Sequence, residues 1–350
     1  MANMNETITM LGAIERIPQP VVSLRDLFFP KVETFVTEEV EFDYRKGGKK
    51  IAPYIVEGFS RGVNVARDGF TKFKYKPPMT GPQRPLTKSE IQGAGFGENV
   101  YSTKTPAQRA ATIRAKDLVE LRDMNIRAEE KMVADFLIGR QVTINGFADD
   151  AVTPIVSTID FPGDGIITLT DTHTWDKATA TVTEDLQKAI DAVVASAINP
   201  NSIFSVCSPN VTEYLLDNDE FTKFFDYRNI EVGSLAPKFI TYQGFSYFGK
   251  YRGLEIYTYS GKYEDFDGTM KDYLPNDYFI VGVPGQGTRL YGAITQLEGT
   301  EGKGTWRTYE GMYIPKYVCD IAGDTETLKV SSRQIIMPAD GNDFYTIKVK

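Results

Sequence analysis

The chain has 350 residues, 47 acidic against 39 basic side chains, a formal net charge of −8 and 41% hydrophobic content. That length suits about two domains with ample core, and the acidic balance argues against a grip on nucleic acid, which needs a basic footprint. Cys207 and Cys319 are too few for a disulfide framework and read as reduced thiols in a cytosolic setting. No basic stretch followed by an apolar run opens the sequence and no apolar run reaches about 18 residues, so neither an export signal nor a membrane span is expected.

Residues 1–30 read as an arm. Ile8, Leu11 and Ile14 suit a short helix that Pro18 and Pro20 end, and Leu27-Phe28-Phe29-Pro30 is an apolar plug that must bury itself somewhere. From Val32 to Tyr44 a period of two predicts a strand, with Val36, Val40, Phe42 and Tyr44 on one face and Thr37, Glu39, Glu41 and Asp43 on the other. Lys46 to Lys49 is a turn. Ile51 to Val56, an Asp68-Gly69 turn and a strand with Thr71, Phe73 and Tyr75 opposing Lys72, Lys74 and Lys76 follow, until Pro77-Pro78. Residues 45–79 thus form a hairpin-like loop, and Thr80 to Val100 reads as irregular.

Thr105 to Gly139 predicts one long helix. Thr105 and Gln108 make a capping box around Pro106 at the first helical position. Ala110, Ala111, Leu118, Leu121, Met124, Ala128, Met132 and Phe136 form an apolar stripe, and the segment would span about 50 Å. The β-rich sequence on both sides suits a spine crossing a multi-part subunit better than a bundle.

Beyond Gly139, Val142–Ile144 and Ile166–Leu169 predict short strands. A capping box at Thr181 and Glu184 opens a helix carrying Leu186, Ile190, Val193, Val194 and Ala197 on one face. Ser202 to Ser208 is an apolar strand, and Pro209 opens a further helix. This alternation makes residues 181–292 a compact lobe. From Thr305 the pattern returns to short strands over Arg307–Tyr313, Thr327–Met337 and Tyr345–Val349.

Motifs of chemistry are weak. His173, the sole histidine, lies in a polar turn without a second ligand. Cys207 reads as an apolar strand end. Gly302-Lys303-Gly304-Thr305 lacks the spacing of a phosphate loop and Gly93 to Gly97 that of a dinucleotide fingerprint, so both read as flexible loops. Asp217-x-Asp219-Glu220 lacks the glycine and glutamate of a calcium loop and reads as a helix end. Asn5 and Asn210 are chance Asn-x-Thr matches. The sequence supplies no catalytic, cofactor-binding or metal-binding residue. An aromatic content of 12% points instead to extended surfaces that meet something.

Several segments together resemble the major capsid protein of lambda-type tailed bacteriophages, the phage major capsid protein E family. They are Leu27-Phe28-Phe29 with Phe35 to Val40, Tyr54 to Gly58, Lys74 to Pro77, the spine helix, Tyr259 to Tyr263, Leu274 to Asp277, Gly287 to Gly292, and Ile336 to Asp340 with Phe344. Their shared order over nearly the whole chain makes the match specific. The resemblance implies an α+β tailed-phage capsid fold. Its parts would be an N-terminal arm (1–30), a first peripheral strand (31–44), an extended β-hairpin loop (45–79), a peripheral domain with the spine helix (80–180), an axial domain (181–292) and peripheral return strands (293–350).

It implies a non-enzymatic shell protein that forms hexamers and pentamers around packaged DNA in the virion, after assembly in the host cytoplasm. The implied partners are copies of itself, a portal, scaffolding and a decoration protein, with no membrane and no cofactor. In such a shell the opposite charge rows, Lys72, Lys74 and Lys76 against Glu39, Glu41 and Asp43, together with Phe28 and Phe29, are the candidate intersubunit contacts. The alternatives are an encapsulin-like compartment shell and, from another class, a carboxylate-dependent hydrolase.

Overall fold

The computed structural model describes residues 10, 14, 23–44, 71–92, 105–147, 154–177, 179–196, 203–227, 244–300, 303–320 and 323–350. The expectations for Ile8, Leu11, Ile51 to Val56, the Asp68-Gly69 turn and Gly93 to Gly97 lie outside these residues. Helix α1 (Ser23–Phe28) precedes strands β1 (Lys31–Thr34), β2 (Val40–Tyr44) and β3 (Thr71–Tyr75). It runs through β4 (Met79–Thr80), β5 (Gln83–Thr87) and α2 (Lys88–Gln92) into the spine, α3 (Pro106–Gly139). Next come β6 (Gln141–Phe147), β7 (Pro154–Asp160), β8 (Ile166–Thr168), α4 (Val182–Ser196), β9 (Phe204–Cys207), α5 (Pro209–Asp217) and α6 (Asp219–Tyr227). Then follow β10 (Phe245–Tyr251), β11 (Leu254–Tyr259), β12 (Lys262–Glu264), β13 (Met270–Asp272) and β14 (Tyr278–Gly282). The chain ends with β15 (Thr288–Tyr291), β16 (Ile294–Thr300), β17 (Lys303–Tyr309), β18 (Ile314–Asp320), β19 (Thr325–Met337) and β20 (Phe344–Lys348).

Both ends of the 34-residue spine follow from its sequence. Thr105 Oγ1 accepts the Gln108 N–H at 3.3 Å while Gln108 Oε1 accepts the Thr105 N–H at 3.0 Å. At the far end the left-handed residue is Arg140, at φ 53°, one position past the glycine that the sequence points to. The predicted stripe holds at Ala110, Leu118, Leu121, Met132 and Phe136 but not at Met124, which is exposed. Ile126 and the polar Arg122, Asn125, Glu129 and Glu130 are buried instead, because the spine is covered on more than one side and needs polar partners there.

Two six-stranded sheets flank the spine. In the first, the 13-residue β19 is the hub: β18 and β5 pair with its residues 325–329 from opposite edges, β4 with 332–333 and β15 with 334–337. β1 joins parallel to β15. Over residues 80–92 the irregular reading is therefore corrected to two strands and a short helix. Gln83 to Thr87 shows no alternation and contains Pro85; it becomes a strand because β19 presents an edge to pair with.

The second sheet runs β10-β11-β9-β14-β20-β8. All four residues of β9 are buried, as suits a central strand. Trp175, Leu186, Val193, Val211 and Leu215 close a core over it with Phe279 and Ile347. The sheet takes in β8 and the terminal β20 and leaves out β15. β14 has two edges, and β20 fills the one that β9 leaves open.

The strand predicted from Val32 to Tyr44 is broken. The Phe35 N–H still donates to the Tyr291 carbonyl at 2.8 Å, but residues 35–39 bend as the chain leaves β15 and takes β3 as its new partner, which turns Val36 out to solvent. Lys303-Gly304-Thr305, read as a flexible loop, opens β17, which pairs with β16 in a hairpin. A third ribbon pairs β6 with β7; the latter has no counterpart in the sequence reading.

Candidate assembly surface

Among the described residues β2 and β3 pair only with each other, and their register sets Glu41 opposite Lys74 and Asp43 opposite Lys72. The two charge rows therefore meet first inside one chain. Lys74 Nζ lies 2.5 Å from Glu39 Oε2 and 3.6 Å from Glu41 Oε1, and Lys76 Nζ is 3.2 Å from Glu38 Oε2. Glu38 also receives Arg333 of β19 at 3.0 Å, so it ties the base of the ribbon to the first sheet. Hydrogen bonds from Arg333 and then Lys76 hold the Glu38 carboxyl below its ordinary value, and the bond to Glu39 raises Lys74. The lysines and glutamates of these pairs are about half exposed, so solvent screens the pairs and each of these side chains keeps solvent-facing charge, while Arg333 is largely buried.

Phe28 and Phe29 are placed differently from the expectation. Both are fully buried in the chain's own core. Phe28 packs edge-on against Phe344 and Phe204; Phe29 stacks on Phe344 and meets Phe136 of the spine. The plug closes inside the subunit because the spine and both sheets converge on it, which leaves neither ring any surface for a neighbour.

Behind this core lies a polar junction that the sequence reading missed. Glu129 and Glu130 are buried on the spine. Glu130 accepts the Leu24 and Arg25 backbone N–H groups, each at 2.8 Å, and the Tyr259 hydroxyl at 2.8 Å. It thereby satisfies free N–H groups at the start of α1. Glu129 accepts the Tyr291 and Tyr313 hydroxyls, both at 2.9 Å, and Arg25 Nη1 at 2.8 Å. Burial raises the Glu130 carboxyl above its ordinary value, opposed by those three donors. All four oxygens of this carboxylate pair are thus engaged by protein donors, the arrangement of a structural junction. Its signal in the sequence was polar residues, Arg122, Asn125 and Glu129, recurring in phase with Leu118 and Leu121.

The other residues singled out for chemistry fall in ordinary places. His173 ends an exposed single turn of 3₁₀ helix, Asp171–His173. Cys207 is buried on β9, its thiol pushed up to about 12 by desolvation. Asp217 ends α5 and Asp219 opens α6, with Asn218 Oδ1 accepting the N–H groups of Glu220 and Phe221. Asn210 donates to Asp277 Oδ1 at 2.5 Å. Among the described residues no group of three His, Cys, Asp or Glu is placed to hold a metal ion, and no helix is long and apolar enough to cross a membrane.

The sequence matches the family model described as phage major capsid protein E over residues 6–349. The chain belongs to the phage major capsid protein E family. It is a structural protein of the phage head, built to assemble with copies of itself into a shell. Its fold is similar to that of a protein named as the capsid protein of a prophage in E. coli CFT073, at 20% identity and a TM-score of 0.66 over 98% of this chain and 99% of that one. A phage-related protein from Bordetella bronchiseptica RB50 matches at 11% identity and a TM-score of 0.54 over 100% and 98%. A comparison with curated proteins gives no match. The mixed architecture of spine, two sheets and paired ribbons is thus the capsid fold that the sequence led us to expect.

Proposed function

We propose that this chain forms hexamers and pentamers that close an icosahedral head around packaged DNA. Assembly takes place in the host cytoplasm, with a portal ring, scaffolding and a decoration protein as further partners. The observation that carries this reading is the family match over residues 6–349. In it, the lobe built on β9, β11 and β14 is axial, the spine and the β19 sheet are peripheral, and the ribbon of β2 and β3 roots the extended loop. The charged side chains of that ribbon, Glu39, Glu41, Lys72, Lys74 and Lys76, lie against a neighbouring subunit. A net charge of −8 suits a wall whose DNA must slide past it during packing and ejection.

Sedimentation velocity and negative-stain microscopy of the expressed chain test this. Closed particles with five- and six-fold capsomers are expected. A monodisperse subunit at micromolar concentration under assembly conditions, with no particles by light scattering, overturns the reading.

A further inference from the structure

The chain reaches the second sheet at residues 161–165, leaves it at 283–287 for the first sheet, and returns at 338–343. Each passage is held by a group from outside it. Arg140, at the end of the spine, binds the first and last: its guanidinium donates to the carbonyls of Gly165 at 3.4 Å, Gly341 at 3.1 Å and Phe344 at 2.6 Å. The middle passage is held by the arm. The Gly285 N–H donates to the Leu27 carbonyl and the Gly287 N–H to the Phe28 carbonyl, both at 2.9 Å. The Phe29 ring lies so close that a Cβ on Gly287 would sit 2.1 Å from Cδ1.

The arm is in turn seated on the two spine carboxylates, and these reach opposite ways. Glu130 binds Tyr259 of β11 in the second sheet, Glu129 binds Tyr291 of β15 in the first, and both bind the arm through Leu24 and Arg25. Among the described residues α1 pairs with no strand, so residues 24–29 can lift off the spine without opening either six-stranded ladder.

We propose that residues 24–29 are a removable wedge. Docked on Glu129 and Glu130, they fix the passage at 283–287 and with it the angle between the two sheets; undocked, they let the sheets turn about the spine while each stays folded. The inference concerns the single subunit and does not rest on the shell it builds.

The test uses the full-length, unassembled chain with Glu130→Gln, which keeps the side-chain shape but replaces one of the two accepting oxygens with a donor. Spin labels go at Val194→Cys on α4 and Val318→Cys on β18, both exposed sites, in a Cys319→Ser background. Hydrogen exchange is expected to rise about tenfold or more at 24–29 and 283–287, and to stay within about twofold in β9, β14 and β19. The label-to-label distance, narrow in the parent, is expected to broaden. Should Glu130→Gln not fold, Gly287→Ala, which drives Phe29 from its seat, is expected to give the same pattern. Unchanged exchange at 24–29, an equal rise across both sheets, or an unbroadened distance with the arm released each overturns the proposal.

Discussion

Arg140 donates from Nη2 to the backbone carbonyl of Phe344 at 2.6 Å, across 204 residues of sequence. The same guanidinium donates to the Phe136 and Leu137 carbonyls at the C-terminus of the spine, which also accept the Arg140 N–H and the Thr346 hydroxyl, and lies over the rings of Phe136 and Phe344. Burial lowers its ionisation to about 10. A cation held this deep is stabilised by the carbonyl dipoles around it, and removing it takes a donor from each of them.

Arg140→Met should therefore cost about 2–4 kcal/mol, measured by chemical denaturation of the unassembled subunit. Arg140→Lys should recover little, because one ammonium lacks the planar fork that reaches several carbonyls at once. Full recovery with lysine would show that charge alone matters here.

The spine stripe has a sharp internal contrast. Leu121 is buried and Met124, three residues on, is exposed. Leu121→Ala is expected to cost about 2–5 kcal/mol, whereas Met124→Ala and Arg127→Ala stay within about 0.5 kcal/mol. Similar losses at Leu121 and Met124 would contradict this packing.

Reversing Lys72, Lys74 and Lys76 together to Glu separates folding from assembly. The pairs that Lys74 and Lys76 make with Glu38, Glu39 and Glu41 are exposed and screened by solvent, so the subunit melt should change little. Particle yield should drop further, since a weak contact repeated at every interface multiplies. The check is a subunit melt beside sedimentation of particles at low and moderate salt. Normal yield, or a collapsed melt, rules out an intersubunit role for this face.

Glu38 makes the ribbon's attachment sensitive to acid. Its folded pKa is lowered from 4.5 by Arg333 and Lys76, so its contribution is present above that value and is lost as pH falls through the lower folded one. Glu38→Gln should melt below the parent at about pH 6, and the gap should narrow progressively as pH falls below 4.5. A gap of constant size across that range would place the effect elsewhere.

What the sequence settled by itself was local chemistry. Thr105, Pro106 and Gln108 mark one end of the spine by capping, Pro209 opens α5, and alternation of Lys72, Lys74 and Lys76 with Thr71, Phe73 and Tyr75 marks β3, because these signals need only neighbours in the chain. The ordered segments from Leu27 to Phe344 pointed to the capsid family for the same reason: each is a short run with its own composition. Partnership across the chain was decided by the tertiary structure. Gln83 to Thr87 is a strand only beside β19, and Phe344 to Lys348 joins the second sheet only because β14 has a free edge. Glu129 and Glu130 can be buried only where Arg25, Tyr259, Tyr291 and Tyr313 converge on them. Phe28 and Phe29 read as a plug in either case; which surface they fill depends on three elements meeting more than 100 residues away, a distance over which no periodicity carries information.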